Sequence, residues 1–160
     1  MTSPELGQWP ATDRSYRRSE VSAVIGHGDA VWQRATHDVL RWRVKTASGF
    51  AVEKTGPVSA GDHLSITARV LVITIVEPVE VVAVVQERDR VGFSYRTRAG
   101  HPVSGEEAFI VHRSGANVLL TVRSLTRAAP HQPWRLLYPV LTIAQRVARR
   151  RYLRALRETD

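Results

Sequence analysis

The chain has 160 residues, 43% of them hydrophobic, with a formal charge of +8 and no cysteine. That length suits one domain with a real core, and the lack of cysteine excludes disulfides, thiolate nucleophiles and thiolate zinc sites, leaving the cytoplasm as the default compartment. No apolar run is long enough for a signal peptide or a membrane span: Met1–Arg18 is polar, and Val70–Val76 is broken by Thr74 and followed by Glu77 and Pro78.

Residues 1–15 mix Pro, Ser and Gly without periodicity and read as a flexible arm ahead of a single domain over 16–160. Ser19–Ile25 alternates as a strand does, and Gly26-His27-Gly28-Asp29 reads as a turn with Asp29 as helix N-cap. Val31, Trp32, Ala35, Val39, Leu40 and Trp42 recur at helical spacing, which predicts an amphipathic helix from Ala30 to Trp42. From Phe50 to Thr126 the period switches to two. The predicted strands are Phe50–Lys54, His63–Val76, Val79–Gln86, Val91–Arg98, Glu106–Arg113 and Asn117–Thr126, with Pro78 as a break and turns at Gly56-Pro57, Gly61-Asp62, Glu87–Arg90 and Ser114-Gly115-Ala116. A final long helix is expected only from about Pro139, because its ring would kink a helix begun earlier.

This order predicts an α+β fold in which a curved antiparallel sheet of six or seven strands wraps a long C-terminal helix, the only element with enough apolar surface to cover the sheet. It resembles the helix-grip plan of START and Bet v 1-like proteins. A hotdog fold is the alternative, suggested by the Val58–Asp62 turn before a long strand.

Specific residues carry a second resemblance. Gly26-x-Gly28 with Trp32, Ala35, Leu40 and Trp42, then Val91-Gly92-Phe93-Ser94-Tyr95, Gly100-His101-Pro102, Gly105-Glu106-Glu107-Ala108-Phe109, and Gln145 with Arg150-Arg151-Tyr152 resemble the DUF1990 family over most of the chain from about Tyr16. That resemblance implies no reaction.

The chemistry-bearing residues cluster in the hairpin over 92–112. Alternation puts Phe93 and Tyr95 on one face, and Glu107 with Phe109 on the matching face of the next strand, with Ser124 on the inner face of the last. Desolvation makes a carboxylate a better base, and a phenol beside it can share its proton, so Glu107 and Tyr95 form the leading acid/base pair. His101, in the turn between the strands, is placed at the cavity mouth as a proton shuttle. Phe93, Phe109, Ser124, Trp32, His27 and Glu106 are expected to contact the ligand. The structural alternative is that Glu106 or Glu107 bridges to Arg96, Arg98 or Arg123 across the sheet. No His pair has ligand spacing and no glycine loop cradles phosphate, so neither a metal nor a cofactor is expected.

The functional expectation is a cofactor-independent cyclase, dehydratase or isomerase acting on an apolar, polyketide-like molecule, with ring or spiroketal closure in secondary metabolism as one form of it. The alternatives are a non-catalytic carrier of a hydrophobic ligand and a basic interaction module. Seven of the 21 Arg fall between Arg135 and Arg157. Their bland reading is a solvated helix face, since no nucleic-acid motif accompanies them. Pairing of two copies stays open.

Overall fold

The computed structural model describes residues 1–10, 14–54, 56–70, 73–130 and 134–157. Alternating exposed and half-buried positions make the first strand, β1 (Arg17–His27). Two short helices follow, α1 (Gly28–Val39) and α2 (Arg43–Thr46), then β2 (Phe50–Val52), β3 (His63–Val70), β4 (Ile73–Glu87), β5 (Arg90–Thr97), β6 (Val103–Ser114), β7 (Asn117–Ala128) and α3 (Trp134–Tyr152). The seven strands form one sheet in the order β1-β7-β6-β5-β4-β3-β2, each pair antiparallel, so the strands flanking the two short helices lie at opposite edges. Bulges at Val24/Gly26 and Val81/Ala83 add twist. The sheet curls into a half-barrel with α3 on its concave side, the helix-grip arrangement, and the hotdog alternative is set aside because the long helix follows the last strand.

Five boundaries differ from the sequence expectation. Apolar spacing alone carries the first helix to Trp42, but α1 ends at Val39 and Trp42 takes a left-handed backbone, φ 60°. The strain turns its fully buried ring edge-on to Phe93, with centroids 4.6 Å apart, where a continued helix would carry it past the core. The helix is also entered two residues earlier than expected, with His27 rather than Asp29 at the N-cap and no side-chain bond there. The segment His63–Val76 is two strands, β3 and the start of β4, paired Val70 to Ile73, and the two residues between them lie outside those described. Pro78 does not break β4. Its carbonyl accepts from Arg98 N at 2.9 Å, just past the end of β5, so the missing N–H faces a ladder that has already stopped. Finally, α3 begins at Trp134 and runs through Pro139, whose ring forfeits one bond in the helix's second turn.

The concave face and the short helices enclose the core, including Val39, Trp42, Val81, Phe93, Phe109 and Leu120, all essentially without exposure. Residues 1–10, expected from composition as a loose arm, run along the convex face. The Arg123 guanidinium, itself 1% exposed, donates to the carbonyls of Thr2, Ser3 and Gly7 and to Glu20. Arg90 takes the carbonyls of Pro4 and Leu6, and Trp9 is buried beneath the Arg18 guanidinium at 4.0 Å. Arg123, buried from water, needs the arm's carbonyls to satisfy its guanidinium.

Candidate active site

Register aligns the site. Tyr95 of β5 pairs with Glu107 of β6, which pairs with Ser124 of β7, and paired residues in an antiparallel sheet share a face. The three side chains therefore form one row across the concave floor. From above, α2 contributes Lys45 and α3 contributes Tyr152. Together they line a cavity of about 480 Å³ between sheet and helix, most of whose other wall atoms are apolar.

Lys45, one of only two lysines, organises the row. Its ammonium lies 3.1 Å from Glu107 Oε2 and donates to Tyr152 Oη at 2.6 Å, over the rings of Phe50 at 4.7 Å and Tyr152 at 4.8 Å. Burial opposes its charge, yet Glu107, with Tyr152, Tyr95 and Glu77 around it, outweighs that and holds the Lys45 pKa well above the usual lysine value. Lys45 is thus an ammonium, not a free amine, at neutral pH. Tyr95 Oη donates a short bond to the same Oε2, and burial, then Glu107, push the phenol well above its ordinary value, so it stays a donor. Glu107 Oε1 takes no bond among the described residues and remains available to a ligand.

Two further groups face this row. Glu77 of β4 lines the cavity, and burial lifts its carboxyl above the usual range, with Lys45 opposing and Glu107 adding to the lift. His101 is buried. Its Nδ1 accepts from Val103 N at 3.0 Å, which leaves the proton on Nε2, 3.9 Å from Glu77. Burial and then Lys45 push its pKa down to about 3, so it is neutral at pH 7.

The structure brings Glu107, Tyr95, Ser124 and His101 to one cavity, which Glu106 also borders although Thr2 holds its carboxylate, and leaves Phe93, Phe109, Trp32 and His27 outside it. His101 sits inside the wall against Glu77, not out at the mouth. Phe93 and Phe109 lie beneath the floor in the core, edge to face at 5.8 Å, rather than on the cavity surface. Trp32 packs against the core on α1 under the Arg113 guanidinium, 4.7 Å away, and His27 is exposed at the end of β1, neither lining the cavity. Glu106 belongs to the opposite face, where its carboxylate is taken by Thr2 N at 2.8 Å and by the Thr2 hydroxyl. Bridges from either glutamate to the sheet arginines do not form. Arg96 pairs with Glu80 at 2.9 Å and Arg123 with Glu20 at 2.7 Å, while Glu107 faces the other way.

Sequence reasoning missed Lys45, Glu77, Tyr152 and Arg149, whose guanidinium donates to Ser124 Oγ at 3.3 Å. Lys45 had a signal: a lone Lys just after Trp42 in an arginine-dominated chain. The Gly-His-Pro to Gly-Glu-Glu block also acquires a physical reason. Gly100 has φ +93°, and a Cβ on Gly105 would lie 1.8 Å from Leu125 O. Gly105→Ala is therefore expected to cost about 3 kcal/mol or more in urea unfolding. Gly7→Ala, whose Cβ meets nothing within 4 Å, should stay within about 0.5 kcal/mol of the parent.

The fold is the helix-grip fold of Bet v 1-like proteins, with a cavity between sheet and helix. A crystal structure of a hypothetical protein from Helicobacter pylori is similar at a TM-score of 0.60 and 13% identity, covering 98% of this chain and 96% of that one. The crystal structure of Ara h 8.0201, a Bet v 1-like protein, is similar at a TM-score of 0.51 and 15% identity, covering 88% and 98%. The chain belongs to the DUF1990 family, described as a domain of unknown function, whose model matches residues 2–155. A UPF0548 protein of Deinococcus radiodurans is 41% identical over 78 residues, which is 48% of this chain and 38% of the relative's length. No helix among the described residues is long and apolar enough to cross a membrane.

Proposed function

We propose that the cavity binds an apolar, polyketide-like molecule in the cytoplasm and that Glu107, with Lys45 and Tyr95, moves its protons in a cyclisation, dehydration or isomerisation. One observation carries this reading: a carboxylate with one oxygen held by an ammonium and a phenol, the other open to an apolar cavity of about 480 Å³. Such a carboxylate is fixed in orientation and drawn out of bulk water, as a general base needs. It accepts a proton from a carbon beside a carbonyl. The negative charge that develops on the carbonyl oxygen is stabilised by the nearby ammonium, and the proton returns from Glu107 to a different atom of the substrate, so Glu107 ends as it began. Since Lys45 stays protonated, its role is electrostatic and no imine to the substrate is invoked.

The competing reading is a carrier, favoured by the mutual neutralisation of Lys45 and Glu107, which leaves a cavity suited to an uncharged guest. Native mass spectrometry of the purified protein identifies a guest, and the compound so identified serves as the substrate to assay. Glu107→Gln then separates the readings. Turnover should fall by about 10²–10⁴ with ligand affinity little changed, whereas a guest recovered unaltered by both forms would establish the carrier.

A further inference from the structure

The outward side of α3 carries a surface that lies mostly outside the cavity. Val140, Ile143 and Val147 are 63%, 61% and 46% exposed. At about 100° per residue they fall within a sector of about 60°. On one side of this stripe lie exposed Arg146 and Arg150, and on the other Leu141, Ala144 and Ala148, which line the cavity. Val147 belongs to both the stripe and the lining, so the apolar strip continues the lip of the cavity onto the surface.

The charge beside the stripe has no local counterpart. No Asp or Glu occurs in the chain between Glu107 and Glu158, a stretch that holds all of α3. None of the ion pairs among the described residues involves an α3 arginine. We propose that this face of α3 docks on an anionic lipid surface, the arginines meeting phosphate headgroups and Val140, Ile143 and Val147 entering the acyl boundary. Charge complementarity selects that occupant. A second copy would set one uncompensated arginine row against another in a chain of charge +8, and a nucleic acid would engage the arginines while leaving the apolar stripe in water. Docking this way turns the cavity lip toward the bilayer, but the surface argument does not depend on any chemistry inside the cavity.

The native chain has no cysteine, so a single Ile143→Cys carries an environment-sensitive fluorophore cleanly, with Ala116→Cys at the far β6–β7 turn as control. Vesicles of phosphatidylcholine are compared with vesicles containing 30% phosphatidylglycerol. The label at 143 should shift to the blue only on the anionic vesicles, while the label at 116 stays unmoved. In co-sedimentation, V140D with I143D should lose binding, and R146Q with R150Q should weaken it about tenfold or more, with circular dichroism and melting unchanged in both. The proposal is overturned if the aspartate variant binds vesicles like the parent, if duplex DNA at 150 mM salt binds while vesicles do not, or if sedimentation velocity shows a dimer that these aspartates dissolve.

Discussion

Replacing Lys45 with Met is expected to remove about 3–5 kcal/mol of folding stability, read as a lowered urea midpoint at unchanged slope. The side chain is 4% exposed, and its ammonium is the cation next to Glu107 in a cavity that also holds Glu77. Met fills the stem's volume but leaves the Glu107 carboxylate facing an apolar wall without its counter-charge. The loss is mostly the penalty of that stranded carboxylate rather than the worth of the ion pair, so neutralising the partner should restore most of it. The double variant Lys45→Met/Glu107→Gln should accordingly be more stable than Lys45→Met alone, with a coupling of about 1–3 kcal/mol in the double-mutant cycle. The pH sense follows from the raised Lys45 pKa: its contribution is complete below the unfolded value near 10.5 and is lost only as pH rises through the folded one. The deficit should therefore be the same at pH 7 and pH 8. A single variant as stable as the parent would mean that Glu107 is satisfied without Lys45.

That pair also shows what could and could not be read from the chain. Alternation in β5, β6 and β7 places Tyr95, Glu107 and Ser124 on one face, because strand period two is a local property and the hairpin turns keep the register. Lys45 and Tyr152 reach the same point from two different helices, Lys45 lying 62 residues before Glu107 in sequence and Tyr152 45 after it, by subtraction of their numbers. Their approach is decided by how α2 and α3 pack over the sheet, which no local pattern encodes. The residues expected to touch a ligand by being aromatic, Phe93 and Phe109, went instead to the core, where full burial of large rings contributes most. Glu106 was drawn to the convex face by the same alternation that turned Glu107 inward, and its partner Thr2 belongs to an arm whose composition carries no sign of docking.

The fold was legible where one signal acted alone. Apolar periodicity identified the long last helix and most strands, and the order of elements was enough for the helix-grip plan. The errors came where a backbone rule met tertiary context. Pro78 reads as a break, but a missing N–H costs little where no acceptor faces it, as at the end of β5, and Pro139 reads as the start of the last helix, which instead begins at Trp134. Conversely, the run His63–Val76 holds no glycine or proline to mark its reversal. The chain folds back there because β3 and β4 pair, residue by residue, from Val70–Ile73 to His63–Glu80.

Between pH 6.5 and about 3, His101 should make the protein progressively less stable, by up to about 5 kcal/mol across the whole window. The imidazole is buried, and protonation would set a second cation near Lys45, which is why its folded pKa falls to about 3 while the unfolded chain keeps about 6.5. Within that window the unfolded state binds the proton and the folded state does not, so stability rises with pH and is fully present above 6.5. Glu77 acts in the opposite sense, because its raised carboxyl takes up a proton more readily folded than unfolded, and it offsets part of the loss. His101→Asn isolates the histidine: the amide oxygen can still accept from Val103 N, as Nδ1 does at 3.0 Å, but cannot titrate. Urea midpoints at pH 7, 6, 5 and 4 should fall more steeply in the parent than in the variant, and the His101 ring signals in NMR should stay those of a neutral Nε2–H imidazole through pH 5. Equal slopes, or a ring titrating near 6.5, would show that the site is open to water. A histidine neutral throughout this range also has a consequence for turnover. It can hold Glu77 or orient a ligand, but it supplies no acid limb between pH 5 and 8, so any activity changing in that range must take its pH dependence from another group.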